Sequence, residues 1–367
     1  MQNENNLTLM FILWNVGMAF SLSFIFPYLF TVGFSVQEML FFAFLNYAFP
    51  LIFLIILRNY DSAISMPLGM FFVALAYFLF VFLGGVAGVI ALFAIGALSF
   101  FLFWVPFNHF WFSMKKQNAA HSTIYAAIII VVGLIMPALS GAIAQEFGFA
   151  AIFLSSAIIL LFASLISLKL APKKKVSLNL AVSLKELDGF KTLFFIEGVH
   201  HIAPFVLITI ISIYYFPRPV DFGIFMSLAM VLSVVSSFIF AKSSDRSGNR
   251  RNFIILFAII LGISTVFASF ASDILFWFIA VSFVNFARVL FFPFPLSLML
   301  DKRQITPGIM YSREIMLNLG RSFSAIFSLG LYLLTLDLRI PLLVTGLSMF
   351  LYVLIFEFMK NKKINCA

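Results

Sequence analysis

The sequence predicts an all-α membrane protein of twelve transmembrane helices in two pseudo-symmetric six-helix bundles. Three observations carry this. First, 63% of the 367 residues are hydrophobic and only 10% are charged. A soluble domain carries roughly 45–50% apolar and about 25% charged residues, so a globule of this composition could not cover its surface with polar groups. Second, apolar runs of about 20 residues, the length that crosses a hydrocarbon core, recur along the whole chain. Third, Lys and Arg fall almost entirely in alternate gaps between those runs. Together these exclude a soluble enzyme, a disordered chain and a disulfide-built secreted domain. The single cysteine, Cys366, can form no internal bridge. Spanning strands are excluded as well, because an open sheet edge is unsatisfied in lipid and barrel strands would alternate at half this length.

Residues 7–31 form the first span. With no Lys or Arg in Met1 to Asn6, and a run too long for a signal h-region, it reads as a retained helix. The next five spans are expected over residues 37–57, 63–84, 87–112, 122–144 and 148–170, and the last six over 191–216, 220–241, 252–271, 274–299, 312–336 and 340–359. Breakers or charges occupy the gaps: Gln37-Glu38, Arg58 to Asp61, Gly84-Gly85, Lys115-Lys116, Gln145-Glu146 and Asp273. With the N-terminus inside, nineteen Lys and Arg fall in inside segments, Arg313 among them, against Arg218 and Arg339 outside. Both termini are therefore expected in the cytoplasm, in a multi-pass protein of the cell membrane. The net charge of +9 comes from short clusters and not from an extended face, which argues against nucleic acid.

The longest interior polar stretch, Ala171 to Phe190, holds Pro172 and the run Lys173-Lys174-Lys175. It divides the chain into a first bundle (1–170), a cytoplasmic central loop (171–190) and a second bundle (191–367). The lysine run reads as an anchor beside anionic membrane lipid. An internal repeat is visible in spans four and ten, where Pro106 and Pro293 each precede a basic pair by nine residues. Both prolines would bend their helices at matching depth.

The loop after span eight reads Ala241-Lys-Ser-Ser-Asp245-Arg246-Ser-Gly248-Asn249-Arg250-Arg251. It resembles the cytoplasmic signature G-x-x-x-D-R-x-G-R-R of the major facilitator superfamily, with Ala241 for the leading glycine and Asn249 for one basic residue. Gly248 allows the tight turn, Asp245 can pair at a helix end, and Arg246, Arg250 and Arg251 suit lipid phosphates. The resemblance implies the major facilitator fold and a cytoplasmic gating role for these five residues. The equivalent loop after span two, Arg58 to Ser62, keeps only one basic and one acidic residue. Span five carries Gly133, Pro137 and Gly141, similar to the family's antiporter stretch but lacking two glycines, and reads as a close-packing face.

Ionisable groups inside a bilayer are functional candidates. Here they are Glu197, His200 and His201 in span seven, Arg288 in span ten, and Glu314 and Arg321 in span eleven, with Asn285 and Asn318 on the same helix faces as the last three. In the family's fold these spans line the cavity, while the third helix of each triplet faces lipid. These eight residues are the candidate substrate or proton site. Mutual ion pairing within the second half is the competing reading, and Arg288, near the midplane at about 21 Å from either end, fits it poorly. In the first half Asn15, Asn46, Asn108 and His109 read as helix-to-helix hydrogen-bonding residues.

No nucleophile, P-loop or metal motif survives inspection, so no enzyme, cofactor or metal is expected. The reading is a secondary transporter that moves a small organic solute by alternating access as a monomer, with room for an anionic or acceptor group on the solute. Proton coupling is favoured over sodium, since no acidic pair is placed to ligate Na⁺. The rivals are an uncoupled facilitator of the same fold and a membrane-embedded lipid enzyme or scramblase.

Overall fold

Four of the long helices start at short polar side chains that satisfy their first amide groups. Ser35 and Glu38 form a reciprocal capping box. Asp61 accepts from the Ala63 amide, Asp273 from Phe276, and Thr306 from Ile309 ahead of Pro307 at the first helical position. The computed structural model describes the backbone of residues 2–113, 119–247 and 250–361, and the side chains of residues 4–113, 128–233 and 251–359.

The resulting helices are α1 (Glu4–Thr31), α2 (Val36–Ile56), α3 (Ser62–Leu83), α4 (Gly85–Ser113), α5 (Ala119–Phe147) and α6 (Phe149–Leu170). After the central segment come α7 (Lys191–Tyr215), α8 (Pro219–Ser247), α9 (Arg250–Ala268), α10 (Ile274–Lys302), α11 (Pro307–Thr335) and α12 (Arg339–Asn361). Among the described residues, eleven of these are long and apolar enough to cross a membrane. The twelfth expected span falls on α8, whose fully described part, Pro219–Ser233, is apolar.

Helix ends lie close to the expected ones except at two places. Helix α8 runs on to Ser247, six residues past 241, so the backbone of Asp245 and Arg246 is helical and not loop as expected. Helix α11 begins at Pro307 and not at residue 312. The second shift matters, because it takes Arg313 out of the loop and places it inside the helix. Of the signature, Gly248 lies outside the described residues, as do the side chains of Asp245, Arg246 and Arg250. Arg251 pairs with Glu357 of α12.

Four helices are interrupted. A tight turn over Leu22–Phe24 breaks α1 just before Pro27, and wide turns lie at Phe100–Trp104 ahead of Pro106 in α4 and at Ala203–Leu207 around Pro204 in α7. In α10 the helix divides between Phe291 and Pro293. A proline removes one amide donor and crowds the preceding turn, which accounts for each break.

The packing repeats at an interval of six helices. Helix α3 lies along α6, and α9 lies along α12; α5 crosses α8, and α2 crosses α11. At the α5–α8 crossing a Cβ on Gly223 would lie 2.3 Å from the Pro137 carbonyl, and one on Gly141 would lie 2.5 Å from that of Pro219. The small residues read from span five are thus in backbone contact with α8.

The central segment is ordered and not a plain loop. Strand β1 (Asn59–Asp61) pairs antiparallel with β2 (Lys175–Ser177), and a short helix follows at Leu180–Glu186. Lys174 is not simply a lipid anchor, since its amide and ammonium reach Ser62 and His109. Beyond β2, Thr306 donates to Glu186, and Arg303 to the Asp188 carbonyl at 3.2 Å. The segment therefore touches both the α2–α3 turn and the start of α11. Beside it, buried Tyr311 of α11 donates to the Leu54 carbonyl of α2 and accepts from Arg58 Nη1 at 2.7 Å.

Candidate functional site

The polar side chains of α7 and α11 meet because two glycines let the helices touch. A Cβ on Gly320 would lie 2.0 Å from the Phe195 carbonyl, and one on Gly198 would lie 2.3 Å from the Leu317 carbonyl. Flanking residues are forced together on either side of this crossing.

On one side sits a buried ion cluster. Arg313 Nη1 binds Glu314 Oε1 at 2.9 Å, while Arg313 Nη2 lies 3.6 Å from Glu197 Oε1. The Arg313 guanidinium also lies 5.2 Å from the Phe194 ring centre. Glu197 is 1% exposed, and its Oε2 has no hydrogen-bond partner. Glu197 is thus joined to Arg313, and not to the Arg288 or Arg321 that the sequence alone offered.

On the other side, Arg321 Nε donates to His201 Nδ1 at 2.9 Å, and Arg321 Nη1 to Asn318 Oδ1 at 3.3 Å. Because Nδ1 accepts, the neutral His201 ring carries its proton on Nε2, and that atom is buried without a partner. Tyr47 of α2 lies under the Arg321 guanidinium at 5.8 Å, so this arm reaches the first half of the chain.

His200 points elsewhere. Its Nε2 lies 3.0 Å from Thr265 Oγ1 of α9, and Thr265 commits its own proton to the Leu261 carbonyl. His200 therefore donates from Nε2 and leaves Nδ1 as a buried acceptor with no partner. Adjacent positions on a helix diverge by about 100°, which separates the two histidines.

Arg288 and Asn285 occupy one face of α10. Arg288 Nη2 lies 3.6 Å from Met230 Sδ of α8, and its guanidinium is 4.9 Å from the Phe205 ring centre. Among the described residues it has no ion pair. His201 packs on the same Phe205 at 5.6 Å and on Phe292 at 4.4 Å, so Arg288 and His201 flank a shared aromatic surface.

The structure therefore gathers Glu197, Glu314, Asn318, Arg321 and His201 at one helix crossing, sets Arg288 and Asn285 beside it, and turns His200 away. Arg313, Thr265 and the two glycines were not singled out from sequence. The Arg313-Glu314 doublet two turns before Arg321 was a signal for the first of them. In the first half, Asn15 bonds within its own helix to the Phe11 carbonyl, and His109 meets Lys174, so neither bridges two helices. Among the described residues no group of three or more His, Cys, Asp or Glu could hold a metal ion.

The sequence profile of the Major Facilitator Superfamily matches residues 110–304, just over half of the chain. The chain belongs to the major facilitator superfamily. It is accordingly a multi-pass membrane transporter of small solutes and not an enzyme. Its fold is similar to that of a bacterial homologue of the iron transporter ferroportin, solved in an outward-facing state, at 15% identity and a TM-score of 0.71 over 98% of this chain and 100% of that one. It is also similar to the human organic anion transporter MFSD10, at 11% identity and a TM-score of 0.69 over 96% and 99% of the two chains. No curated protein matches it by sequence.

Proposed function

We propose that this transporter moves a small organic solute by alternating access and couples that movement to protons. The supporting observation is the unequal sharing of Arg313. Glu314 holds it at 2.9 Å, while Glu197 stands at 3.6 Å with one oxygen unpartnered. Protonation of Glu197 leaves Arg313 paired with Glu314, and the cluster's excess positive charge then rests on Arg321, which His201, Asn318 and the Tyr47 face hold. A proton can therefore come and go at this carboxylate at low cost. Glu197 is next to Gly198, where α7 touches α11, so its charge state acts directly on the helix crossing.

Contacts between the first and last six helices at both ends of the bundle support alternation. Near one end Gly141 meets Gly223, and near the basic end Tyr311 meets Leu54. Opening one while holding the other needs helices that bend, and the breaks in α7 and α10 supply that freedom. In this reading the basic end faces the cytoplasm of the cell.

The test is a pair of spin-label distances, Ile56→Cys with Lys302→Cys at the basic end and Gly84→Cys with Asp273→Cys at the opposite end. Acidification is expected to lengthen one distance and shorten the other. One fixed distance at each end at every pH, in lipid, would refute alternation driven by protons.

A further inference from the structure

We infer that Arg288, with the Nε2 proton of His201 beside it, binds the anionic head of a singly charged, partly apolar organic solute. The inference rests on the transporter reading and names its substrate class.

Charge accounting leads there. Among the described residues five carboxyl or guanidinium side chains lie well inside the helices: Glu197, Glu314, Arg313, Arg321 and Arg288. The two glutamates both contact Arg313. Among the described residues Arg321 has no carboxylate at bonding distance, but it is held by His201 and by Asn318, which bonds the Glu314 carbonyl at 2.8 Å. The two acids thus balance these two arginines in number across one connected group. Arg288 is left over, contacted by a thioether and a ring face. An arginine near the midplane without a counter-ion is expensive, and one negative charge removes that cost. The fork of the guanidinium matches a carboxylate or sulfonate. A second donor stands on the same aromatic residue: His201 Nε2 is buried without a partner, and its ring shares Phe205 with Arg288.

Access and shape agree. From Glu197 to Ile213 every residue of α7 is buried or half-buried except Phe205, which is 40% exposed in mid-helix. Phe205 and Phe292 offer flat apolar faces beside the cation, which suits an aryl or alkyl body attached to the charged head.

The test uses purified full-length protein and four probes of similar size: benzoate, benzenesulfonate, benzylammonium and benzyl alcohol. Thermal stabilisation is read in nanodiscs with and without phosphatidylglycerol. Wild type is expected to bind the two anions at least 10-fold tighter than the other two. Arg288→Gln is expected to fold, melt no lower than wild type and lose that preference, and Arg288→Lys to retain part of it. Absence of an anion preference in the wild type, or its survival in Arg288→Gln, overturns the inference. An anion effect that vanishes when phosphatidylglycerol is present reassigns the site to a lipid phosphate and overturns the solute assignment. Binding is read apart from transport, so the spin-label experiment can fail while this succeeds, and the reverse.

Discussion

Replacing Glu197 by Gln separates a proton carrier from a structural ion pair. Glutamine copies the shape of the protonated acid and removes the charge. At an effective dielectric constant of about 20, a pair at 3.6 Å is worth roughly 5 kcal/mol of Coulomb attraction. Two costs already cancel most of that: taking the carboxylate out of water, at several kcal/mol, and repulsion from Glu314 on the same arginine. The net change expected for Glu197→Gln is within about 1 kcal/mol, since Arg313 keeps its partner at 2.9 Å. The same substitution at Glu314 removes the closer partner and is expected to cost about 2–3 kcal/mol, approaching the penalty for an uncompensated buried charge. The predicted order is therefore wild type, then Glu197→Gln close below it, then Glu314→Gln well below both.

Thermal melting reads the order, and the spin-label distances read the function. If Glu197 carries the proton, Glu197→Gln holds at every pH the distance distribution that wild type reaches only in acid. A variant that melts several kcal/mol lower refutes the sharing argument and makes the pair structural. One that melts normally and keeps the full pH response removes Glu197 from coupling and leaves Glu314 and His201 as the candidates at that crossing.

Two further outcomes follow from the helix contacts. Gly320→Ala places a methyl 2.0 Å from a backbone carbonyl, whereas Gly330→Ala meets nothing within 4 Å; the first is expected to melt about 1–3 kcal/mol lower by overpacking, and equal melting would refute backbone contact between α7 and α11. Tyr311→Phe strips the hydroxyl that joins Leu54 and Arg58, at a cost of about 1–2 kcal/mol, and is expected to lengthen the distance between labels at positions 56 and 302; an unchanged distribution would show that this contact does not hold the basic end closed.

Most of the membrane architecture was legible because it is written in composition. Runs of apolar residues and the placement of Lys and Arg are one-dimensional signals, and the helix ends agree with them wherever a polar cap marks the start. One exception, α11, shows the limit of that signal. Its first turns, from Pro307 to Ser312, include polar residues that hydropathy assigns to a loop, although Thr306 and Pro307 are ordinary helix-start residues. Arg313 was consequently counted as a topology charge when it is the hub of the ion cluster. The partner choices within the cluster were not legible, because they depend on where Gly198 and Gly320 set the crossing of α7 and α11. Helix spacing gives the face a residue occupies and says nothing about which helix lies opposite. The order within residues 171–190 was missed for a related reason. Strands of three residues are too short to show a period, and β1 and β2 form only by pairing with each other across more than a hundred residues.

The repeat also shows why the charge is on one side. Aligning Pro293 on Pro106 brings Arg288 onto Phe101 and Phe294 onto Phe107. In the first half that register is filled by aromatic packing: Trp14 stacks on Phe103 at 4.2 Å and Phe11 on Phe107 at 4.9 Å, tying α1 to α4. Phe101 is fully buried against Tyr60 and against Tyr311, the residue that joins the two halves at the basic end. In the second half the same register holds a cation and a shared aromatic face between α7 and α10. One copy of the repeat has thus become a rigid wall that also closes an end, and the other has kept the groups that can gain and lose charge. A solute bound at Arg288 would meet polar chemistry from one half only, so its binding and any proton exchange would bias the α7–α11 crossing while the α1–α4 wall stays packed. Under the proposed mechanism the moving parts and the charged parts would then coincide, which is the condition for a proton to drive a change of access.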